Sequence, residues 1–121
     1  MPHFIIECSS TILQRQSPGT IMQTVYDTAA ATGLFAVSGA GGIKVRIAPY
    51  EHYITVNSKE NFIHVFAYIM EGRNTAQKQE LSKKITAALN KLLPWVAVIS
   101  INISDFEKAT YCNKTMLQEV P

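Results

Sequence analysis

Phe62-Ile63-His64-Val65-Phe66-Ala67-Tyr68-Ile69-Met70 is the stretch on which the fold turns. Its β-branched and aromatic content marks it as a strand. Successive strand side chains point to opposite faces, so Phe62, Phe66, Tyr68 and Met70 share one side and Ile63, Val65, Ala67 and Ile69 the other. Both sets are largely apolar, and a strand apolar on both sides is expected to be buried on both sides. One layer of packing does not satisfy it.

The segments that follow supply one such layer. Asn74 with Gln77 three residues on forms a capping-box pattern. Leu81, Ile85, Ala88, Leu89 and Leu92 then recur at helical spacing, with Lys78, Lys83, Lys84 and Lys91 largely off that stripe. Pro94 ends the helix, and residues 96–103 read as another strand. Residues 2–50 have the same grammar. A short apolar strand over residues 2–8 precedes Ser17-Pro18, an N-cap followed by proline at the first helical position. Ile21, Met22, Val25, Tyr26 and Ala29 form the helical stripe, Gly33 suits the C-terminal stop, and a glycine-rich turn over residues 39–42 leads into a strand at residues 43–47.

The chain is therefore expected to be one domain spanning residues 1–121. One strand–helix–strand unit lies at about 2–50 and a second at about 60–104, offset by about 60 residues, with a C-terminal segment at 105–121. Helical crossovers imply parallel strand pairs and a right-handed connection. The expected fold class is α/β (α+β), a four-stranded mixed sheet with both helices on one face. The other sheet face then needs cover. Association with further copies supplies it economically; a C-terminal segment folding back over the sheet is the alternative.

Composition narrows the function classes. The 121 residues carry a formal net charge of +2 without long runs of like charge, which argues against nucleic-acid binding. No apolar stretch approaches the length of a membrane span, and the N-terminus lacks the pattern of a secretory signal. Cys8 and Cys112 are far apart, and His3, His52 and His64 show no ligand spacing, so neither a disulfide framework nor a metal site is proposed by the sequence. A cytoplasmic protein with reduced thiols is the expectation.

The N-terminal Pro2-His3-Phe4-Ile5-Ile6-Glu7-Cys8-Ser9 resembles the start of the bacterial 5-carboxymethyl-2-hydroxymuconate isomerases of the tautomerase superfamily. So do Ala30-Ala31-Thr32-Gly33-Leu34-Phe35, Gly42-Ile43-Lys44-Val45-Arg46 and Gly72-Arg73-Asn74, in the same order, so that the resemblance runs from Pro2 to about residue 104. It implies a homotrimer with sheets packed around a central core, and a site near the Pro2 amine built from more than one subunit. It implies 1,3-proton transfer in an unsaturated dicarboxylate without metal or organic cofactor, a reaction of homoprotocatechuate breakdown. It also implies a substrate-binding arginine at Arg73 and a carboxylate-binding arginine where this chain has Lys44.

The chemistry agrees with that assignment. A base that takes and returns a proton must be neutral yet basic at working pH. An α-amine, ordinarily near pKa 7.7–8.0, meets that requirement when burial and nearby cations disfavour its ammonium form. Pro2 becomes such an amine once Met1 is removed; the plainer role for Pro2 is a strand start that loses nothing by lacking an N–H. Arg73, just before the second helix, is placed to meet an anion together with the helix N-terminal N–H groups, or to stand in solvent as an ordinary surface arginine. Lys44 and Arg46, two apart in a strand, share a face. Lys44 keeps the charge but not the bidentate fork of an arginine; Arg46 is placed to supply that fork or to serve as a surface or intersubunit charge.

Overall fold

The computed structural model describes residues 1–36, 39, 41–57 and 60–117. The main elements are β1 (His3–Ser9), α1 (Pro18–Ala31), β2 (Lys44–Tyr50), β3 (Phe62–Met70), α2 (Thr75–Leu92) and β4 (Val98–Phe106). They form one four-stranded sheet in the order β2-β1-β3-β4. Within each unit the strands are parallel, β1 with β2 and β3 with β4; the two units join through antiparallel pairing of β1 with β3.

Local chemistry sets the helix ends. The Ser17 side chain accepts from Thr20 N–H at 3.1 Å and Pro18 opens α1. Gly33 lies just past the end of α1 at φ +73°, a left-handed conformation that disfavours a β-carbon. At α2 the capping box is complete: Asn74 Oδ1 accepts from Gln77 N–H at 2.8 Å, and Gln77 Oε1 accepts from Asn74 N–H at 2.9 Å. Leu93 follows the last turn, and Pro94 breaks the pattern.

The core lies between the helices and one sheet face. Ile21, Val25 and Ala29 from α1 and Leu81, Ile85 and Leu89 from α2 meet Phe4, Ile6, Ile63, Val65, Ala67 and Ile69, all essentially inaccessible to solvent. Each large apolar side chain taken from water there contributes about 1.5–3 kcal/mol. Ile12, in a 3-10 turn over Ser10–Gln14, closes the core at one end. That turn carries no strong sequence signal, because a single buried isoleucine has no period.

Several boundaries differ from expectation. The first strand is shifted by one residue, and the second extends to Tyr50. The last begins at Val98, because Val96 N–H closes a turn onto Leu93 O at 3.0 Å. Val96 itself is buried, which explains its strand-like appearance. Ala40 of the glycine-rich turn and residues 118–121 of the C-terminal segment lie outside the described residues.

The two faces of β3 part company. Ile63, Val65, Ala67 and Ile69 are buried beneath the helices, whereas Phe62, Phe66 and Met70 are only part-buried and Tyr68 is 39% exposed. Burial on both sides is not achieved within one chain. Among the described residues, the short helices of the C-terminal segment at Lys108–Thr110 and Lys114–Leu117 contain no buried residue.

Ile85→Ala removes a fully buried side chain between α2 and the sheet and is expected to destabilise the fold by about 2–5 kcal/mol; urea denaturation followed by circular dichroism measures it.

Candidate active site

Strand direction brings separate parts of the sequence to one corner. Because β1 and β2 are parallel and start together, His3 stands opposite Lys44, and Lys44 N–H donates to Pro2 O at 3.1 Å. Because β1 and β3 are antiparallel, the same end of β1 lies beside the end of β3, where Glu71-Gly72-Arg73 turns into α2. Gly72 takes φ +120° in that turn.

Arg73 is half-buried and held from two sides. Its Nη2 donates to Leu34 O at 2.6 Å, its Nη1 donates to Met70 O at 3.3 Å, and the guanidinium carbon lies 5.3 Å from the centre of the Phe35 ring. Phe35 in turn packs edge-on against Phe4, with centroids 6.0 Å apart. The two carbonyls use two of the five guanidinium donors and fix the plane of the group. At the adjoining start of α2 the capping box engages the N–H groups of Asn74 and Gln77.

Lys44 Nζ donates to Gly42 O at 3.0 Å and meets Met1 Sδ at 2.8 Å. The terminal amine of Met1 is depressed below its ordinary value of 8.0, first by burial, then by the charge of Arg73 and then by that of Lys44. Met1 thus sits among the cations expected to bind substrate, and Pro2 behind it is buried. While Met1 is attached, the Pro2 nitrogen is an amide and has no basic lone pair to offer.

Arg46 is exposed and turned toward β1 rather than toward Pro2, with Nη1 3.1 Å from Nδ1 of His3. His3 is a residue that sequence reading passed over, its spacing from His52 and His64 giving no ligand pattern. Its only signal is parity: in strand alternation it falls on the same face as its cross-strand neighbour Lys44. Its imidazole is held below the usual 6.5 by burial, then by Arg46, Lys44 and the terminal amine, in that order. Cys8, by contrast, is chemically quiet, since burial pushes its thiol up to about 11. Among the described residues there is no group of three or more His, Cys, Asp or Glu side chains fit to hold a metal ion, and no helix is long and apolar enough to cross a membrane.

Two cavities bear on the site. One of about 340 Å³ is lined by His3, Phe106, Glu107, Thr110 and Tyr111. A larger groove of about 620 Å³ runs between α2 and β4 and includes none of Pro2, His3, Lys44, Arg46 or Arg73. Of those five residues only His3 lines the smaller one.

The doubled strand–helix–strand sheet with its cationic corner at the first residues is the tautomerase fold. It superposes on a 5-carboxymethyl-2-hydroxymuconate isomerase from Deinococcus radiodurans R1 with a TM-score of 0.77 at 23% identity, covering 93% of this chain and 88% of that one. It also superposes on a fused wild-type 4-OT described as a symmetric trimer, with a TM-score of 0.70 at 15% identity, covering 93% of this chain and 94% of that one. In sequence the chain is 28% identical over 87 residues to the 5-carboxymethyl-2-hydroxymuconate Delta-isomerase of Escherichia coli, spanning 70% of this chain and 67% of that protein. Residues 2–119 match the 5-carboxymethyl-2-hydroxymuconate isomerase family, and the chain belongs to that family. It is an enzyme of the isomerase/tautomerase class.

Replacing Arg73 by Ala takes away a cation that disfavours the ammonium form, so the pKa of the terminal amine is expected to rise. The pH dependence of amine labelling, followed by mass spectrometry, reads the shift; an unchanged or lower pKa contradicts the placement of the guanidinium.

Proposed function

We propose that the protein, after loss of Met1, moves a proton and a double bond in an unsaturated dicarboxylate such as 5-carboxymethyl-2-hydroxymuconate, with the Pro2 amine as general base. The observation that carries this reading is the convergence of Arg73 and Lys44 on the chain terminus, where both lower the pKa of the amine found there. The same two charges act on a Pro2 amine once Met1 is gone. They serve two ends at once: they keep the amine neutral and able to accept a proton, and they attract a dianion.

In this mechanism Pro2 removes a proton from one carbon or hydroxyl of the substrate, and the resulting prolinium returns it at the other end of the conjugated system. Negative charge spreads onto oxygen in between, and fixed cations stabilise it without having to reorganise. Arg73 holds one carboxylate with the donors that Leu34 and Met70 leave over. Lys44 and Arg46 furnish positive charge along the β2 side. Met1 stands where that substrate would approach, so its removal both creates the base and opens the ground between Lys44 and Arg73.

A homotrimer completes the assignment. The half-exposed face that includes Phe62, Phe66 and Tyr68 needs an apolar partner, and three sheets packed around an axis bury it. A second reading is favoured by one residue: where the family resemblance places a carboxylate-binding arginine, this chain has Lys44, whose single-point charge lacks the bidentate fork. A related enol-acid substrate of different shape would suit that change.

Ultraviolet-monitored ketonisation of 5-carboxymethyl-2-hydroxymuconate and of a simple enol acid tests the mechanism, once intact mass has confirmed that Met1 is absent. Pro2→Ala is expected to lose at least about 100-fold in kcat, the upper part of the general acid–base range being about 10⁴-fold. Equal rates for Pro2→Ala and the parent protein would sink the proline mechanism. Arg73→Ala is expected to raise KM for dianionic substrates more than for monoanions. Light scattering at micromolar concentration is expected to give three times the chain mass; a monomer mass rejects the trimer.

A further inference from the structure

His3 has a defined tautomer, a neutral ring and a cavity in front of it, and the mechanism above leaves it without a task. The guanidinium of Arg46 only donates hydrogen bonds, so at 3.1 Å the Nδ1 atom of His3 must be the acceptor. That places the ring proton on Nε2. Burial and the charges of Arg46, Lys44 and the terminal amine all disfavour a second proton. Arg46 approaches from β2, on one flank of β1, while the cavity of about 340 Å³ is walled by the end of β4 and the segment after it, on the other flank. The protonated side of the imidazole is thereby turned away from Arg46 and toward that cavity.

The far wall is built rather than incidental. Phe106 and Tyr111 pack together with ring centroids 5.5 Å apart and planes 32° from parallel. Glu71, two residues before Arg73, ties this segment to the site: its carboxylate accepts from Lys108 N–H at 2.6 Å, and its own N–H donates to Phe106 O at 3.1 Å. The cavity therefore offers a neutral N–H donor at one end and an aromatic wall at the other, fastened to the turn that presents Arg73.

We propose that His3 is a further catalytic residue, donating its Nε2–H to an anionic oxygen of the substrate lodged in this cavity, with Arg46 as the positioning residue that fixes the ring. No proton is transferred; the hydrogen bond strengthens as charge develops on the oxygen of the dienolate and relaxes when carbon is protonated. A neutral imidazole suits the task because it stabilises the anion without surrendering its proton, a role histidine takes where an ammonium-like cation would be too acidic. The proposal rests on the proton-transfer reading given above, and it reassigns Arg46 from direct carboxylate binding to action through His3.

The test combines kinetics with ring-nitrogen NMR on the assembled, Met1-free protein. His3→Phe is expected to lower kcat by about 100-fold, in the range seen when one oxyanion donor is removed, with a smaller effect on KM. His3→Gln, which keeps a neutral N–H donor, is expected to recover part of that loss. In the parent protein the His3 ring is expected to show protonated Nε2 and bare Nδ1, and Arg46→Met to mix the two tautomers. Addition of adipate, a saturated dicarboxylate that does not react, is expected to shift the Nε2 resonance. His3→Phe working at the parental rate, in an enzyme that Pro2→Ala inactivates, overturns the proposal and leaves the proline mechanism standing. If Pro2→Ala is fully active the proline mechanism fails, and the adipate titration then decides on His3 alone: no response at Nε2 overturns its role as a ligand donor.

Discussion

The antiparallel pairing of β1 with β3 is the contact on which everything else depends. It joins two strand–helix–strand units, whose helices also pack on one another, and its register sets His3 against Tyr68. Because the strands run in opposite directions, the start of β1 is delivered to the end of β3. Because β1 and β2 run in the same direction, the start of β2 arrives there too. One corner thus receives the chain terminus, Lys44 at the start of β2, and the short turn before α2 that carries Arg73.

That corner concentrates positive charge, and each cation there is anchored in its own way. Arg73 spends donors on two carbonyls and lies near the Phe35 ring; Lys44 reaches Gly42 O; Arg46 meets the His3 ring. The anchoring fixes the charges in place, so little reorganisation would oppose an anion that met them. The cost falls on the groups nearby that would otherwise be protonated, and it appears as the lowered values of the terminal amine and of His3. For a base that must be neutral, this cost is the useful property.

The second sheet face is mixed in character, unlike the first. Phe62, Phe66 and Met70 are apolar, but His64 stands among them with Nδ1 2.6 Å from Ser100 Oγ and Nε2 2.6 Å from Asn102 Oδ1, its ring 4.4 Å from that of Phe66. A buried polar group is tolerable only when its partners are satisfied, and here both ring nitrogens are.

By itself the sequence determined the elements and their kinds. Period-3.6 stripes, the Ser17 and Asn74 caps and the alternating apolar set of β3 are local patterns, and local patterns survive translation into structure because each depends on residues a few positions apart. The resemblance carried by the segments at 2–9, 30–35, 42–46 and 72–74 also named the family. What sequence did not contain was register and the packing of the connections. The Ser10–Gln14 turn that seats Ile12 and the turn at Val96 that delays β4 are outcomes of packing. So is the partnership of Arg46 with His3, forty-three residues apart in the chain. Only the register of β1 against β2 brings those two side chains together, and register is a property of the paired strands, not of either one alone.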